Sequence, residues 1–417
     1  MFTPAFSCTR LAALALATVS ALSALPAAAY NTLNGDAPLV IAHRGASGLR
    51  PEHTLEAYLL AIQQGANYIE PDVVMTKDGF LIARHEPMLG GTTNVASLPQ
   101  FASYKTTKMV DGVSTTDWFA SDFTLAEVKT LRAIQPRANR DQSFNGQFQI
   151  PTLDEVIALA QAQSVATGRT VGIYPEIKHS TFHGTLFGNK VFENTLVTKL
   201  HTAYGNTGNA PVFIQSFEIG NLQYLNQVTD IRLVQLIDAN DVNADGSLDL
   251  SAPYGQPYDV AAAGGDLSFA DMVTNIGLGF IKTYADGIGP WKPYLVTTVD
   301  DGIDRDGDGV LTIKDRRVDG STGVIELAHA NGLLVHAFTF RDDASGYGFA
   351  NPVTEMAYYM NLGVDGVFTD FTASGVLAVA QVPEPSTWLM FGLGLAGVVG
   401  LRRRYITAPS CQGTNSF

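Results

Sequence analysis

The chain has 417 residues, 46% of them apolar and only 16% charged, with 40 glycines and a formal charge of −14. That composition suits a globular protein with many tight turns and excludes a disordered one. The acidity argues against binding to a nucleic-acid backbone, while leaving room for a small anion drawn to a locally basic pocket.

The opening stretch MFTPAFSCTRLAALALATVSALSALPAAAY carries one arginine, an apolar run and then Ala27, Ala28 and Ala29. It predicts a secretory signal peptide over 1–29, cut after Ala29. A membrane anchor is the competing reading, but the run is short and lacks a stop-transfer flank. Cys8 lies inside this segment and the other cysteine, Cys411, near the far end. The cut would therefore leave an exported protein with no intramolecular disulfide, held by its core or by metals.

From about 38 to 378, apolar and β-branched runs alternate with helical patterns. LVIAHRG, YIEPDVVM, FLIARHE, TVGIYPEIK, PVFIQSF, IRLVQLI, LLVHAFTF and DGVFTDF are predicted strands, with 286-DGIGPW-291 as one extra candidate. Helices are predicted in 54-TLEAYLLAIQQG-65, 152-TLDEVIALAQAQ-163 and 323-GVIELAHANG-332, the second opened by a capping box from Thr152 to Glu155. Repeated strand–helix units imply a parallel sheet. Eight of them imply an α/β fold of the (β/α)8 TIM-barrel type, with an open doubly wound sheet as the alternative. Two long polar stretches, roughly 90–147 and 238–318, read as excursions from that framework.

Strand residues two apart share a face, so Glu70 pairs with Asp72 and Glu176 with Lys178. An acid facing the interior costs several kcal/mol unless it is paired or binds a cation. Three carboxylates converging from two strands would suit a hard divalent ion, Mg²⁺ or Ca²⁺. The plainer reading is a buried Glu176–Lys178 salt bridge with the other two acids solvated. His43 and Arg44 end the first strand and His85 ends FLIARHE, at the strand ends where barrel active sites sit. Arg44 can bind phosphate oxygens bidentately, and Gly45 lets the backbone approach closely. Glu52 is expected to help fix the loop carrying Arg44; His336 reads mainly as background, with lining the pocket as the alternative. Phe338 and Phe340 read as core or pocket wall, and His179, His183, His201 and His329 as background.

The stretch 304-DRDGDGVLTIKD-315 places Asp304, Asp306 and Asp308 at positions 1, 3 and 5 of a calcium-loop template. Gly309 stands at 6, and Asp315 at 12 where a bidentate Glu is usual. It is a candidate structural calcium loop that would stiffen the second excursion; a solvated acidic turn is the alternative. A weaker partial match has Asp241, Asn243, Asp245 and Gly246, but Ala252 at position 12.

Near the far end, 382-VPEPSTWLMFGLGLAGVVGLRRR-404 has Pro-Glu-Pro, a short apolar stretch and three arginines, followed by a tail over 405–417. It resembles the PEP-CTERM sorting signal. The resemblance implies transient membrane contact through this segment and removal by a sorting peptidase after export.

HRGASGLRPEHT, the IEPDV strand, His85, PEIKH, and then IQSF, VQLI, VHAFTF and DGVFTDF in order resemble the glycerophosphodiester phosphodiesterase family, in particular its exported bacterial branch. The likeness runs from about Leu39 to Phe371, placing the barrel domain at 38–378. It implies a (β/α)8 barrel that hydrolyses glycerophosphodiesters to sn-glycerol 3-phosphate and an alcohol, by way of a cyclic phosphate. It further implies that His43 and His85 are the acid/base pair, that Arg44 and Lys178 bind phosphate, and that Glu70, Asp72 and Glu176 hold a divalent ion, Ca²⁺ or Mg²⁺. Two departures bear on the rim and substrate fit: His85-Glu86 stands where the family usually has His-Asp, and MLGGTTN replaces a Leu-Asp-Arg run. The alternatives are a related phosphodiesterase for lysophospholipids and a non-enzymatic, calcium-braced surface protein.

Overall fold

Eleven hydrogen-bonded segments make up the main sheet of the computed structural model, which describes residues 30–382 apart from 306 and 345. They reduce to eight parallel strands. Pro71 and Pro175 each interrupt one strand, and the short Leu81–Ala83 segment is antiparallel. In chain order these are β1 (Leu39–His43), β2 (Tyr68–Glu70 and Asp72–Met75), β3 (Gly172–Ile173 and Glu176–Ile177) and β4 (Phe213–Ser216). β5 (Arg232–Ile237), β6 (Gly287–Pro290), β7 (Leu334–Phe340) and β8 (Gly366–Thr369) follow. Neighbours in sequence pair in parallel, and β8 pairs with β1, so the sheet closes. The ladder continues across both prolines, because the amides of Tyr174, Glu176 and Lys178 donate to the carbonyls of Ile69, Pro71 and Val73. The expected TIM barrel is present, and the open sheet is not.

The membership of the eight differs from the sequence expectation in one place. DGIGPW supplies β6, whereas FLIARHE folds back as an antiparallel partner of β2, with Val73 opposite Ala83 and Met75 opposite Leu81. The reason is loop length: a parallel crossover needs about a dozen residues. Here Thr76 donates to Phe80 across a tight turn through Asp78 and Gly79, whose φ is +84°.

Ile41, Tyr174, Phe213, Val234 and Phe368 fill the barrel interior. His336 is also there, fully buried, with Nδ1 2.8 Å from the Tyr174 hydroxyl. It is part of the barrel filling and does not line the pocket. The predicted helices appear as Leu55–Gln63, Leu153–Thr167 and Val324–Ala330. Thr152 and Glu155 form the expected capping box, and Gly168 ends that helix in the left-handed conformation.

The first excursion has its own apolar core, in which Phe101, Phe123, Val128 and Leu131 pack against Val74 and Ile82 beside β2. It carries a hairpin, Thr106–Val110 with Val113–Asp117, turned at Asp111 and Gly112. The second predicted excursion is not one insertion: helix Asn275–Ile281 and barrel strand β6 lie within it, and short antiparallel pairs, Asp241–Val242 with Leu248–Asp249 and Val296–Val299 with Arg317–Ser321, stand before and after them. Among the described residues no helix is long and apolar enough to cross a membrane. The expected signal peptide and the sorting segment beyond Val382 lie outside the described residues.

Candidate active site at the barrel mouth

β1 ends at His43, and the chain then turns through Arg44 and Gly45 at φ +59° and +83°. A left-handed arginine costs about 1–3 kcal/mol and persists only where its surroundings hold it. Here the Arg44 amide donates to Glu70 Oε2 at 2.7 Å, and its Nη1 donates to Glu52 Oε2 at 3.2 Å. Its Nε lies 3.4 Å from Asp72 Oδ2. Gly45 is obligatory for a second reason: a Cβ there would lie 2.8 Å from the backbone of Ala57. Glu52 thus braces Arg44 as expected. Burial would raise its carboxyl, but Arg44, His53, His85 and Arg84 together outweigh burial and hold it down at about 2.

Glu70, Asp72 and Glu176 are all buried, and one carboxylate oxygen from each lies within 4.8 Å of the others. Pro71 keeps Glu70 and Asp72 on one face, and the pairing of Asp72 with Glu176 brings the third acid level. At an effective dielectric near 20, two charges at that separation repel by about 3.5 kcal/mol. Burial and the neighbouring acids accordingly push Glu70 up, and burial pushes Glu176 up to about 8 although Lys178 pulls the other way. Burial would raise Asp72, but His53, His85 and Lys178 together outweigh it and hold Asp72 well below the usual carboxylate range, so it stays ionised. Its Oδ1 is buried without a hydrogen-bond partner. An oxygen-only, anionic, partly unsatisfied cradle fits a hard divalent cation. Among the described residues it is the one acid group so arranged.

The two histidines flank this cluster. His43 Nδ1 is 2.6 Å from Asp370 Oδ1. A carboxylate can only accept, so Nδ1 carries the proton and Nε2 is bare. Burial and Arg44 lower His43 to about 4, against the pull of Asp370. His85 Nδ1 faces Glu86 Oε1 at 2.8 Å by the same logic, and its Nε2 lies 3.3 Å from Lys178 Nζ. Lys178 also pairs with Glu176 at 2.9 Å; burial would lower it, but Glu176, Asp72 and Glu86 together keep it protonated. His85 was expected at the end of a parallel strand. It reaches the mouth instead through the β2 hairpin, whose return is fixed by Arg84 N donating to Asp72 O at 2.9 Å.

Several contributors were not anticipated. Asp370, just past β8, also accepts from Arg140 at 2.6 Å and from Arg341 at 3.0 Å. His53 Nε2 supports Asp72 at 2.8 Å, and fully buried Arg84 donates to the carbonyls of Glu52 and His53. Gln215 donates to Glu70 Oε1 at 3.2 Å. His179, read as background, lies between Glu86 and Asp111. The TDF ending of the last strand run is the signal that points to Asp370; nothing local points to Arg140, which arrives from the first excursion. The cavity, about 420 Å³, is walled farther out by Phe217, Trp291 and Phe338. Phe340 is instead core, packed against Tyr359.

In the candidate calcium loop, Asp304 accepts from the amides of Gly307 and Gly309, and Asp308 from Val310. Asp315 is buried and accepts from Arg305 and Thr312. Asp306 lies outside the described residues.

Fold and site together define a (β/α)8-barrel enzyme whose mouth combines a buried carboxylate triad, two basic side chains and two histidines with defined tautomers. Comparison with known proteins gives the family. The Glycerophosphoryl diester phosphodiesterase family profile matches residues 43–374, and a PEP-CTERM protein-sorting motif matches 381–404. A glycerophosphodiester phosphodiesterase of Arabidopsis thaliana, GDPD6, is 36% identical over 352 residues, covering 81% of this chain and 84% of the relative. One from Haemophilus influenzae is 32% identical, covering 83% and 91%. A solved structure of a candidate glycerophosphoryl diester phosphodiesterase from Silicibacter pomeroyi has the same fold, with a TM-score of 0.54 at 17% identity, covering 84% of this chain and 97% of that one. The chain belongs to the glycerophosphoryl diester phosphodiesterase family and is an enzyme of that class.

Proposed function

We propose that the protein hydrolyses glycerophosphodiesters to sn-glycerol 3-phosphate and an alcohol, using a divalent cation held by Glu70, Asp72 and Glu176. The observation that carries this reading is the meeting of Glu70 and Glu176, with Asp72 beside them, with Arg44, Lys178, His43 and His85 around one cavity. A cation there would supply charge neutralisation for a phosphate oxygen as negative charge builds. Arg44 and Lys178 bind the remaining phosphate oxygens and orient the diester. With Nδ1 committed to Asp370 and Glu86, His43 and His85 each present a bare Nε2. One takes the proton of the attacking hydroxyl and later releases it to solvent; the other, having first taken up a proton from solvent water, gives it to the leaving alcohol. Burial and nearby cations keep both rings neutral near pH 7, which suits proton acceptance. Phe217, Trp291 and Phe338 offer an apolar wall to the uncharged part of the substrate.

Purified protein should turn over glycerophosphocholine, and His43→Ala should reduce that turnover by at least about a hundredfold. A near-normal rate for the variant overturns the assignment. The sorting motif supports export to the cell envelope. Cell fractionation should find the protein there, and a cytoplasmic pool unchanged by deleting 382–404 removes that part of the reading. For Asp304, Asp306, Asp308 and Asp315 we retain the calcium-loop reading, its role being to stiffen the second excursion.

A further inference from the structure

Outside the acid cluster and the two histidines, one set of half-buried, interlocked ionisable groups at the mouth extends beyond the scheme above. Glu86 divides its oxygens: Oε1 faces His85 Nδ1 at 2.8 Å, and Oε2 faces His179 Nε2 at 2.9 Å. His179 Nδ1 in turn faces Asp111 Oδ2 at 2.6 Å. Both ring nitrogens of His179 meet carboxylates, so both carry protons and the ring is an imidazolium. The two ends of this run come from separate parts of the fold. Glu86 follows the β2 hairpin, His179 caps the start of helix Ser180–Phe187 in the left-handed conformation, and Asp111 sits in the turn of the first excursion's hairpin. We propose that Asp111, His179 and Glu86 form a positioning chain through which that hairpin fixes the tautomer and orientation of His85. The proposal rests on the reading of His85 as an acid/base group.

The physical need is clear from Glu86 itself. Its side chain is 35% exposed at the rim, where a glutamate with only one partner keeps much of its rotamer freedom. Engaging its second oxygen with a fixed imidazolium removes that freedom and holds the first oxygen on His85. The imidazolium also shares the charge of Glu86, so that acid does not hold the His85 proton too firmly. Two hydrogen bonds to carboxylates outweigh burial and raise His179 to about 10, so it stays charged at working pH. The charged groups facing His85 are Arg44, Lys178 and Glu86, with Glu52 and Asp72 beyond them. Those facing His179 are Glu86 and Asp111, with His183 behind it. Tyr254 stands across the mouth near Glu86 and Asp111.

The turn at Asp111 allows a clean test. Asp111 and Gly112 have φ of +45° and +79°, a pair of values that Asn-Gly and Gly-Gly adopt readily. Asp111→Gly therefore removes the carboxylate without straining the hairpin, and Asp111→Asn keeps an oxygen to accept from His179. With glycerophosphocholine, Asp111→Gly should lower kcat about tenfold with KM within about twofold, as expected for a misplaced catalytic group. Asp111→Asn should recover most of that loss at an unchanged melting temperature. In ¹⁵N spectra of histidine-labelled protein, His85 should be the Nδ1–H tautomer in wild type and Asp111→Asn, and a mixture in Asp111→Gly. A single tautomer and wild-type kcat in Asp111→Gly overturn the proposal. So does an equal loss in both variants accompanied by a lowered melting temperature, which marks a structural role only. A wild type inactive on the diester instead removes the acid/base reading, and the tautomer measurement still decides the chain.

Discussion

On the β8 side of the mouth, His43 leans on Asp370, an acid that also satisfies Arg140 and Arg341 and is almost wholly enclosed. On the hairpin side, His85 leans on Glu86, an acid at the rim that is shared with one imidazolium. Both arrangements leave the same atom bare, but they are held differently. Asp370 stands at the end of a barrel strand and is saturated by cations, so its ionisation is not in question: His43, Arg341 and Arg140 outweigh burial and keep it well below the usual carboxylate range. Glu86 is engaged by His179, which in turn meets Asp111 of the first excursion. A barrel makes half of a site rigid by construction, while the other half is as rigid as the loops that lean on it.

The acid cluster serves both sides, so disabling it gives the largest effect. Chelation, or Glu176→Ala, should silence turnover by about a thousandfold or more, with activity restored to the chelated wild type by added Ca²⁺ or Mg²⁺. Full activity in chelator would show that the three carboxylates serve some other purpose. Next in size, His43→Ala and His85→Ala should each cost about 10²–10⁴-fold in kcat. If one is silent, the two sides are not equivalent partners in proton transfer.

A sharper cut comes from the supporting acids. Asp370→Asn leaves the buried Arg140 and the partly buried Arg341 facing an amide, and breaking a buried pair typically costs about 3–5 kcal/mol of stability. Glu86→Gln, at the rim, should cost well under half of that while still slowing turnover. Denaturant melts that rank the two variants equally would erase the distinction between an enclosed and a borrowed support.

Smaller again is a pH effect from His179. Its folded pKa, about 10, lies above the ordinary 6.5, so its stabilising contribution is complete below pH 6.5 and is lost as pH rises through about 10. Wild-type melting temperature should therefore fall more between pH 6.5 and 10 than that of His179→Gln, which keeps a donor to Glu86 but has no charge to lose. Parallel curves would mean that the imidazolium is not held as its two carboxylates imply. The smallest effect is expected in the second excursion, far from either histidine in sequence. Calcium should slow proteolysis near 304–315 without changing kcat in magnesium, and indifference to calcium would leave that segment an acidic turn.

Much of this was legible in the residues themselves. Strand period and capping fix the alternation: β-branched runs cannot hide one face in a helix, and Thr152 with Glu155 closes a helix start wherever it occurs. Acids two apart on a strand must share a face, so the convergence of Glu70, Asp72 and Glu176 follows once the strands are adjacent. A resemblance to a known family added roles to positions that local physics had already marked as costly. The identity of the sixth strand was not legible, because GIGP is short, glycine-rich and ends in proline. It becomes a strand only because β5 and β7 flank it.

What the amino-acid order could not disclose is which distant side chains finish the site. Asp370 and His43 are 327 residues apart, Arg140 and Asp370 230, and His179 and Asp111 68. Hydrogen bonds of this kind depend on angles and on ångström-scale separations set by barrel closure and by how an excursion packs its own core. Local patterning decides that a strand, helix or turn forms and which face is apolar. Only the closed fold decides which polar groups meet above it, because the energy of a charge contact resides in distance and burial, and neither is written in sequence neighbours.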